Sequence, residues 1–492
     1  MSTGFLVTTV LVAPLLVAAT YPLLGWRRST SWLGATSAIV LLTSSVLVAV
    51  SVTDSAPRTF VAGLFYVDAL TAFMLIVIAA VSLLATVAAP SHLRTEIEAG
   101  QLTTRGAAIY GILVQLFIAT MVVAVLAADL GVLWVAIEAT TIVTAFLVGQ
   151  RRTRAAVEAA WKYVIICSAG IALALLGIIV LNFAGSNAAG GQAGLDIATL
   201  TSAAGGMDAD TTRIAIVLMM IGFGTKAGLA PLHGWLPDAH SQAPGPVSAL
   251  MSGVLLSVAM YAILRVKVIS DAALGEDFAR SLLAVMALAS LVVATALLLD
   301  QRDYKRMLTY SSIEHMGLVA FGAAIGGPLA IAAMLLHILG HGLAKGVLFI
   351  GAGRLLQVTG TSRIASLRGL LAEYPLLAGC FGVGVLAVIG LPPFSVFASE
   401  LGIVRAGLDS DLAWVTALIL VLVLVIAASL VRHTAGMVIG SPSRAAGQIG
   451  TTAPPTAAVL IGGLVVCAVL GIAAEPLAHL LDAAAHILTG EP

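Results

Sequence analysis

Apolar runs of about twenty residues, separated by short polar gaps, repeat along nearly the whole 492-residue chain. A helix needs about 20 apolar residues to cross the hydrocarbon core of a bilayer. At that length the pattern predicts fourteen transmembrane helices, near 4–24, 32–53, 66–90, 107–128, 130–149, 157–183, 212–236, 245–264, 279–299, 307–325, 327–352, 373–402, 412–431 and 454–474. The connection from Ala184 to Thr211, rich in Gly, Ala and Ser, is too small and featureless to form a domain. Residues 1–492 are therefore expected to make one polytopic membrane domain of all-α class.

Composition agrees, with 60% hydrophobic and only 10% charged residues. The run from Phe5 to Leu24 has no basic stretch before it, and Arg27 and Arg28 follow it. A cleaved signal peptide has the opposite charge order, so a retained helix is expected. The odd-numbered gaps hold 15 Lys and Arg and the even-numbered gaps 6. The positive-inside rule then makes the odd gaps cytoplasmic and puts both termini on the extracytoplasmic side.

A formal net charge of zero leaves no basic face for nucleic acid. Cys167, Cys380 and Cys467 stand far apart in apolar runs, without a CxxC or Cys/His cluster for zinc or iron–sulfur. No phosphate-binding glycine motif occurs. No redox cofactor or metal is expected in the chain.

Only three of the 24 Lys and Arg residues fall inside the apolar runs: Lys162, Lys226 and Lys345. The other 21 are assigned to the polar gaps or their edges. Glu138, Glu314 and Glu400 lie inside spans too. A charge at the bilayer centre costs at least roughly 2.5–3.5 kcal/mol on insertion scales, so intramembrane charges mark ion or proton paths.

Two spans are interrupted by proline. The seventh reads GFGTKAGLAPLHGWLPDAH, with Pro231 after Lys226; the twelfth reads VIGLPPFSVFASE, with Pro392 and Pro393 before Glu400. Broken helices at matching positions in two halves point to a transport site. The breaks lie five helices apart, and charges recur at that offset: Glu138 with Glu314, Lys162 with Lys345, Lys226 with Glu400. Five is odd, so the second unit is inverted. Two inverted five-helix repeats, helices 4–8 and 9–13, are expected.

Glu138, in WVAIEATTIVTAF, has no basic residue within a turn, so it must be protonated or meet a cation on another helix. Lys226 is the natural partner, in a pair able to switch between charged and neutral states; a static ion pair is the alternative. His337, His341 and Lys345, in HILGHGLAKG, stand at i, i+4 and i+8 and line one face of the eleventh helix. Histidine titrates near neutral pH, which suits a relay; ordinary core histidines are the alternative. Glu314 and His315, adjacent in SSIEHMG, project about 100° apart, so only one faces that column. His315 is favoured for the relay, and Glu314 could instead be a structural acid bonded to nearby hydroxyls. Glu158 and Lys162, at i,i+4, suggest a local ion pair, and Lys162 remains a candidate through its match with Lys345. His233, Asp238 and His240 follow the break in the seventh helix, where they could line an entrance or cap a loop.

At these residues the chain resembles a known family. TKAGLAPLHGWLPDAHSQAPGPVSALMSG looks like the hallmark of the antiporter-like subunits of respiratory complex I, a family that includes Mrp-type cation/proton antiporters and membrane-bound hydrogenases. WVAIEATT and SSIEHMG look most like the F subunit of hydrogenase-4, related to formate hydrogenlyase membrane subunits. The similarity covers about residues 60–440, with an antiporter-like core at about 107–436.

The resemblance implies fourteen helices with inverted repeats, a helix 5 glutamate paired with a helix 7 lysine, and a charged residue on a broken helix 12. It also implies a central water-filled axis. Those roles fall on Glu138, Lys226, Lys345 and Glu400. The implied function is proton translocation in the prokaryotic cytoplasmic membrane, by a subunit without a redox centre of its own. Iron–sulfur, nickel–iron or other redox cofactors are expected in peripheral partner subunits, beside other antiporter-like membrane subunits. An Mrp-type Na⁺/H⁺ antiporter subunit is the alternative, although a Lys/His-rich core is poor in the oxygen ligands sodium needs. A scaffold with an inactive path is a third reading. One departure bears on it: relatives often carry Lys or His in mid-helix 8, where SGVLLSVAMYAILRV offers only Ser257 and Tyr261. The chain ends about 18 residues after the fourteenth helix, short of the lateral extension of the largest complex I homologue.

Overall fold

The apolar runs fold into helices in a computed structural model that describes residues 2–53, 57–61, 63–188, 194–441 and 451–490. Arg444, counted above among the gap charges, and 189–193 of the Ala184–Thr211 connection lie outside the described residues.

Helices α1 (Thr3–Leu24) and α2 (Leu33–Val52) precede a short antiparallel hairpin, β1 (Arg58–Phe60) and β2 (Phe65–Val67). Then come α3 (Ala69–Glu98), α4 (Thr104–Leu126), α5 (Leu130–Val148), α6 (Arg154–Ala188) and the short α7 (Ile197–Ala203). The first interrupted pair is α8 (Ala209–Ala227) and α9 (Trp235–Gln242). A π-turn at Met251–Leu255 joins α10 (Gly245–Leu250) to α11 (Leu256–Leu274). Next are α12 (Glu276–Leu298), α13 (Tyr304–Ile325), α14 (Gly327–Thr359) and the single turn α15 (Leu370–Glu373). The second interrupted pair is α16 (Pro375–Val388) and α17 (Ser395–Leu408); α18 (Ala413–Val438), α19 (Pro454–Ile472) and α20 (Glu475–Thr489) complete the chain.

Among the described residues, 11 helical segments are long and apolar enough to cross a membrane. The sequence pattern missed α20, which is amphipathic and lays Leu480, Leu481, Ala484, Ala485 and Leu488 against α3, α11 and α14.

The apolar windows of Gly245–Leu274 and Gly327–Thr359 are wholly buried, so these two helices form the centre of the protein. Lipid gives apolar side chains no reason to leave it, and small residues bring helices together instead. A Cβ on Gly253 would fall 2.8 Å from the Gly342 carbonyl oxygen, and one on Gly342 would fall 2.7 Å from that of Gly253. Gly245 meets α14 in the same way, 2.9 Å from the Phe349 oxygen.

One arrangement occurs twice. Asp129 caps α5 by accepting from the Gly131 and Val132 amides, and Asp303 caps α13 by accepting from those of Lys305 and Arg306. A strand-like segment pairs with each cap. Leu130 and Ile197 amides donate to Leu195 and Ala128 carbonyls; Tyr304 and Ile364 amides donate to Ser362 and Arg302 carbonyls. Each pairing segment belongs to the connection leading into one of the interrupted helix pairs.

Three cations assigned above to the gaps are buried in helices. Arg265 is 5% exposed, Lys267 7% and Lys305 1%. Arg265 forms a two-pronged pair with Asp68, at 2.7 and 2.8 Å, and also donates to the Thr71 hydroxyl. Its guanidinium lies over the Tyr261 ring, 4.9 Å from the centroid. Lys267 pairs with Asp271, and Lys305 donates to the Ser241 and Ala243 carbonyls at 2.9 and 2.8 Å. Asp271 lies one turn from Lys267, whereas the partners of Arg265 and Lys305 are distant in sequence.

Candidate functional site

Lys226 sits in the last turn of α8, where Gly228 takes the left-handed conformation (φ 76°) that ends the helix. The lysine is fully buried. Its ammonium donates to the Thr141 hydroxyl on α5 and the Tyr163 hydroxyl on α6, each at 2.7 Å. The Thr141 hydroxyl in turn donates to Glu138 at 3.1 Å, and Ser168 donates to the other carboxylate oxygen at 2.8 Å. Glu138 and Lys226 thus share no direct ion pair, contrary to the simplest reading of the sequence. A single hydroxyl stands between them. Glu138 is only partly buried.

Lys162 stands apart from this network. Its side chain is 48% exposed and pairs with Glu158 at 2.8 Å and with Asp238 at 3.1 Å. Asp238 also pairs with Arg306, so it ties α6, α9 and α13 together. Lys162 therefore belongs to a half-exposed ion-pair group rather than to the buried lysine network. It lies in the third turn of α6, one turn after Glu158.

The second cluster lies around α14. His337, His341 and Lys345 are all fully buried, as the i, i+4, i+8 spacing anticipates for one face toward the core. His337 Nε2 is 2.9 Å from His315 Nδ1, and the His341 ring lies 5.0 Å from that of His315. Lys345 donates to the Leu308 carbonyl at 2.8 Å and to the Ser311 hydroxyl, both on α13. Glu314 is buried beside this group with its Oε2 unpartnered. Glu400 groups with His315 and His337, their ligand atoms lying within 4.8 Å of one another. Glu400 follows its break, in the second turn of α17, whereas Lys226 precedes its own. The two do not occupy equivalent points along the interrupted pairs.

His240, on α9, is fully buried with both ring nitrogens unpartnered, and its ring stacks on Phe349 of α14 at 4.8 Å. His233, in the break, is half-buried with an unpartnered Nδ1. Ser257 is buried, its hydroxyl without a partner, and Tyr261 is committed to the Val125 carbonyl at 2.8 Å. A link absent from the sequence reading lies one turn earlier. Ser252, in the π-turn, hydrogen-bonds Ser312 of α13 at 2.8 Å, next to the Ser311 that holds Lys345. Thr141, Tyr163 and Ser399 also belong to these networks, with no charge to mark them in the sequence. Thr141 carried a usable signal, since it lies one helical turn from Glu138.

A family model described as NADH:quinone oxidoreductase/Mrp antiporter, TM matches residues 127–427. The chain belongs to this family. It is 42% identical over 310 residues to a hydrogenase-4 component F homologue of Methylacidiphilum infernorum, a match covering 63% of this chain and 65% of the relative. The chain thus spans just under two thirds of that relative's length. A chain of the membrane-bound sulfane sulfur reductase, an archaeal respiratory membrane complex, superposes with a TM-score of 0.86 at 25% identity, over 98% of this chain and 97% of the other. A chain of the Mrp complex from Dietzia sp. DQ12-45-1b gives 0.85 at 22% identity, over 99% and 97%. The protein is thus a multi-pass, antiporter-like membrane subunit of the complex I, hydrogenase and Mrp family, and its relatives are subunits of multisubunit membrane complexes.

Proposed function

We propose that this chain is the proton-translocating membrane subunit of a hydrogenase-4 or complex I-like oxidoreductase in the prokaryotic cytoplasmic membrane. Electron transfer in partner subunits, which would carry the iron–sulfur, nickel–iron or other redox cofactors, drives it. The observation that carries the reading is the pair of buried lysines: Lys226, held by the Thr141 and Tyr163 hydroxyls with Glu138 beyond Thr141, and Lys345, held by the Ser311 hydroxyl and the Leu308 carbonyl with the buried Glu314 nearby. An ammonium at such a site has a few neutral acceptors in place of water, so it can release its proton and take one up as neighbouring charges change.

Protons pass in this reading between Glu138 and Lys226 through Thr141. In the second unit they pass among Lys345, the His341–His315–His337 group and Glu400, with Glu314 beside them. His240 lies between the units, on α9 but stacked on α14, and Lys162 with its ion pairs flanks the outside of α9. Fourteen crossings complete the frame, α13 and the two interrupted pairs adding to the 11 long apolar spans. The twofold recurrence of the Asp129 and Asp303 caps with their pairing segments supports inverted repeats of helices 4–8 and 9–13. Both termini would then be extracytoplasmic.

The test is proton uptake by vesicles containing the assembled complex, driven by its electron donor. Glu138→Gln and Lys226→Ala complexes that assemble normally should lose uptake while keeping electron transfer. Unchanged uptake in both would refute the reading. Sodium-stimulated proton exchange without any redox partner would instead mark an Mrp-type antiporter subunit.

A further inference from the structure

We propose that His315, His337 and Glu400 form a binding site for one divalent transition-metal ion of borderline softness, with Zn²⁺ the type ion. The residues come from three helices, α13, α14 and α17, and their ligand atoms already lie within 4.8 Å of one another. A tetrahedral ion bound at about 2.0–2.1 Å holds its ligand atoms roughly 3.3 Å apart. The two imidazole nitrogens, 2.9 Å apart, need only part slightly, and Glu400 needs a side-chain rotation toward them.

Hydrogen bonding sets the rings for this role. The Ser399 hydroxyl donates to the Val396 carbonyl at 2.8 Å, so its oxygen is left to accept from His337 Nδ1 at 3.0 Å. A neutral imidazole carries one N–H, so His337 Nε2 presents a lone pair toward His315 Nδ1. Metal-binding histidines are commonly fixed in this way, by a hydrogen bond from the nitrogen that faces away from the ion. On uptake His315 exchanges tautomer: the proton leaves Nδ1, which binds the ion, and resides on Nε2. That nitrogen has no partner now, and the His341 ring, with both nitrogens unpartnered, has its centroid 5.0 Å from that of the His315 ring. Glu400 supplies the anionic ligand, and its Oε1 has no hydrogen-bond partner.

Two imidazoles with one carboxylate select Zn²⁺, Co²⁺ or Ni²⁺ over Na⁺, Mg²⁺ or Ca²⁺, which prefer all-oxygen shells. Glu400 is partly buried, and Leu391, Pro392 and Pro393 in the neighbouring break are exposed. An ion there would occupy the atoms that carry protons in the function proposed above. This consequence rests on that reading; binding itself does not.

The experiment titrates purified full-length protein with Co²⁺ and follows the visible absorption of a tetrahedral Co²⁺ centre, then displaces it with Zn²⁺. One ion per chain is expected for the wild type. His337→Gln and Glu400→Gln should abolish the band, and Ser399→Ala should weaken binding by about 10–100-fold. A His479→Gln/His486→Gln double variant keeps it. Absence of the band in the wild type, or its persistence in both His337→Gln and Glu400→Gln, would overturn the site. Zn²⁺ should also slow proton uptake by the wild-type complex. Stoichiometric binding without slowing would uphold the site and count against the proton path instead.

Discussion

Lys226 and Glu138 are joined through one hydroxyl group: Thr141 accepts from the lysine at 2.7 Å and donates to the glutamate at 3.1 Å. An ion pair at contact distance would lock both charges. A hydroxyl between them can pass a proton by reversing its own two bonds. Replacing Thr141 with Val keeps the shape, removes the bridge and leaves a buried ammonium one acceptor short, a loss worth about 1–3 kcal/mol. Proton uptake by Thr141→Val complexes is expected to fall about tenfold or more, and Thr141→Ser should restore most of it. Equal uptake by the two variants would dismiss the bridge.

The Asp68–Arg265 pair makes a prediction about stability. Asp68 caps α3, its Oδ1 accepting from the Thr71 amide at 2.8 Å, while both carboxylate oxygens hold Arg265. Asn would still cap the helix, so Asp68→Asn isolates the effect of the charge. Stranding a buried guanidinium costs about 3–5 kcal/mol. Thermal unfolding in detergent should show a large drop for Asp68→Asn and a partial recovery for the Asp68→Asn/Arg265→Gln double variant. A purely local cap would show no recovery.

Backbone contact between α10–α11 and α14 gives a third prediction. A methyl group on Gly253 would press on the Gly342 carbonyl of a wholly buried helix, and neither backbone has room to retreat. Gly253→Ala is expected to destabilise by about 1–3 kcal/mol, as overpacking does. Gly462→Ala on α19, where nothing lies within 4 Å of the added carbon, is the control. It should unfold at the wild-type temperature or slightly above, because alanine favours helix.

Hydropathy made the spans and both breaks legible, because lipid forces every run of that length into a helix and leaves proline nowhere to hide. The His337, His341 and Lys345 column was legible from spacing alone. Pairing between helices was not. Lys305 and Arg265 looked like gap charges because their partners, the Ser241 and Ala243 carbonyls and Asp68, are distant in sequence or belong to the backbone. Lys162 was legible only in part. Its i,i+4 pairing with Glu158 could be read from spacing, whereas its second partner, Asp238 on α9, could not. The amphipathic α20 escaped because a helix with one polar face does not register as an apolar run.

Ser252, rather than Ser257, is the hydroxyl by which the α10–α11 stretch reaches α13 beside Lys345. Mid-helix position drew attention to Ser257, but its Oγ has no partner, whereas Ser252 reaches Ser312 at 2.8 Å beside the Ser311–Lys345 contact. The π-turn at Met251–Leu255 re-aims this stretch, as such turns frequently do at functional sites. Ser252→Ala removes a hydrogen bond worth about 1 kcal/mol and the hydroxyl through which a proton or an ordered water would approach Lys345. Proton uptake by Ser252→Ala complexes is expected to fall several-fold, roughly in line with that energy. Ser257→Ala deletes a hydroxyl that bonds nothing and should leave uptake and thermal stability unchanged. If Ser257→Ala proved the slower of the two, the path would cross helix 8 at its middle after all, and the Ser252–Ser312 contact would be a packing feature.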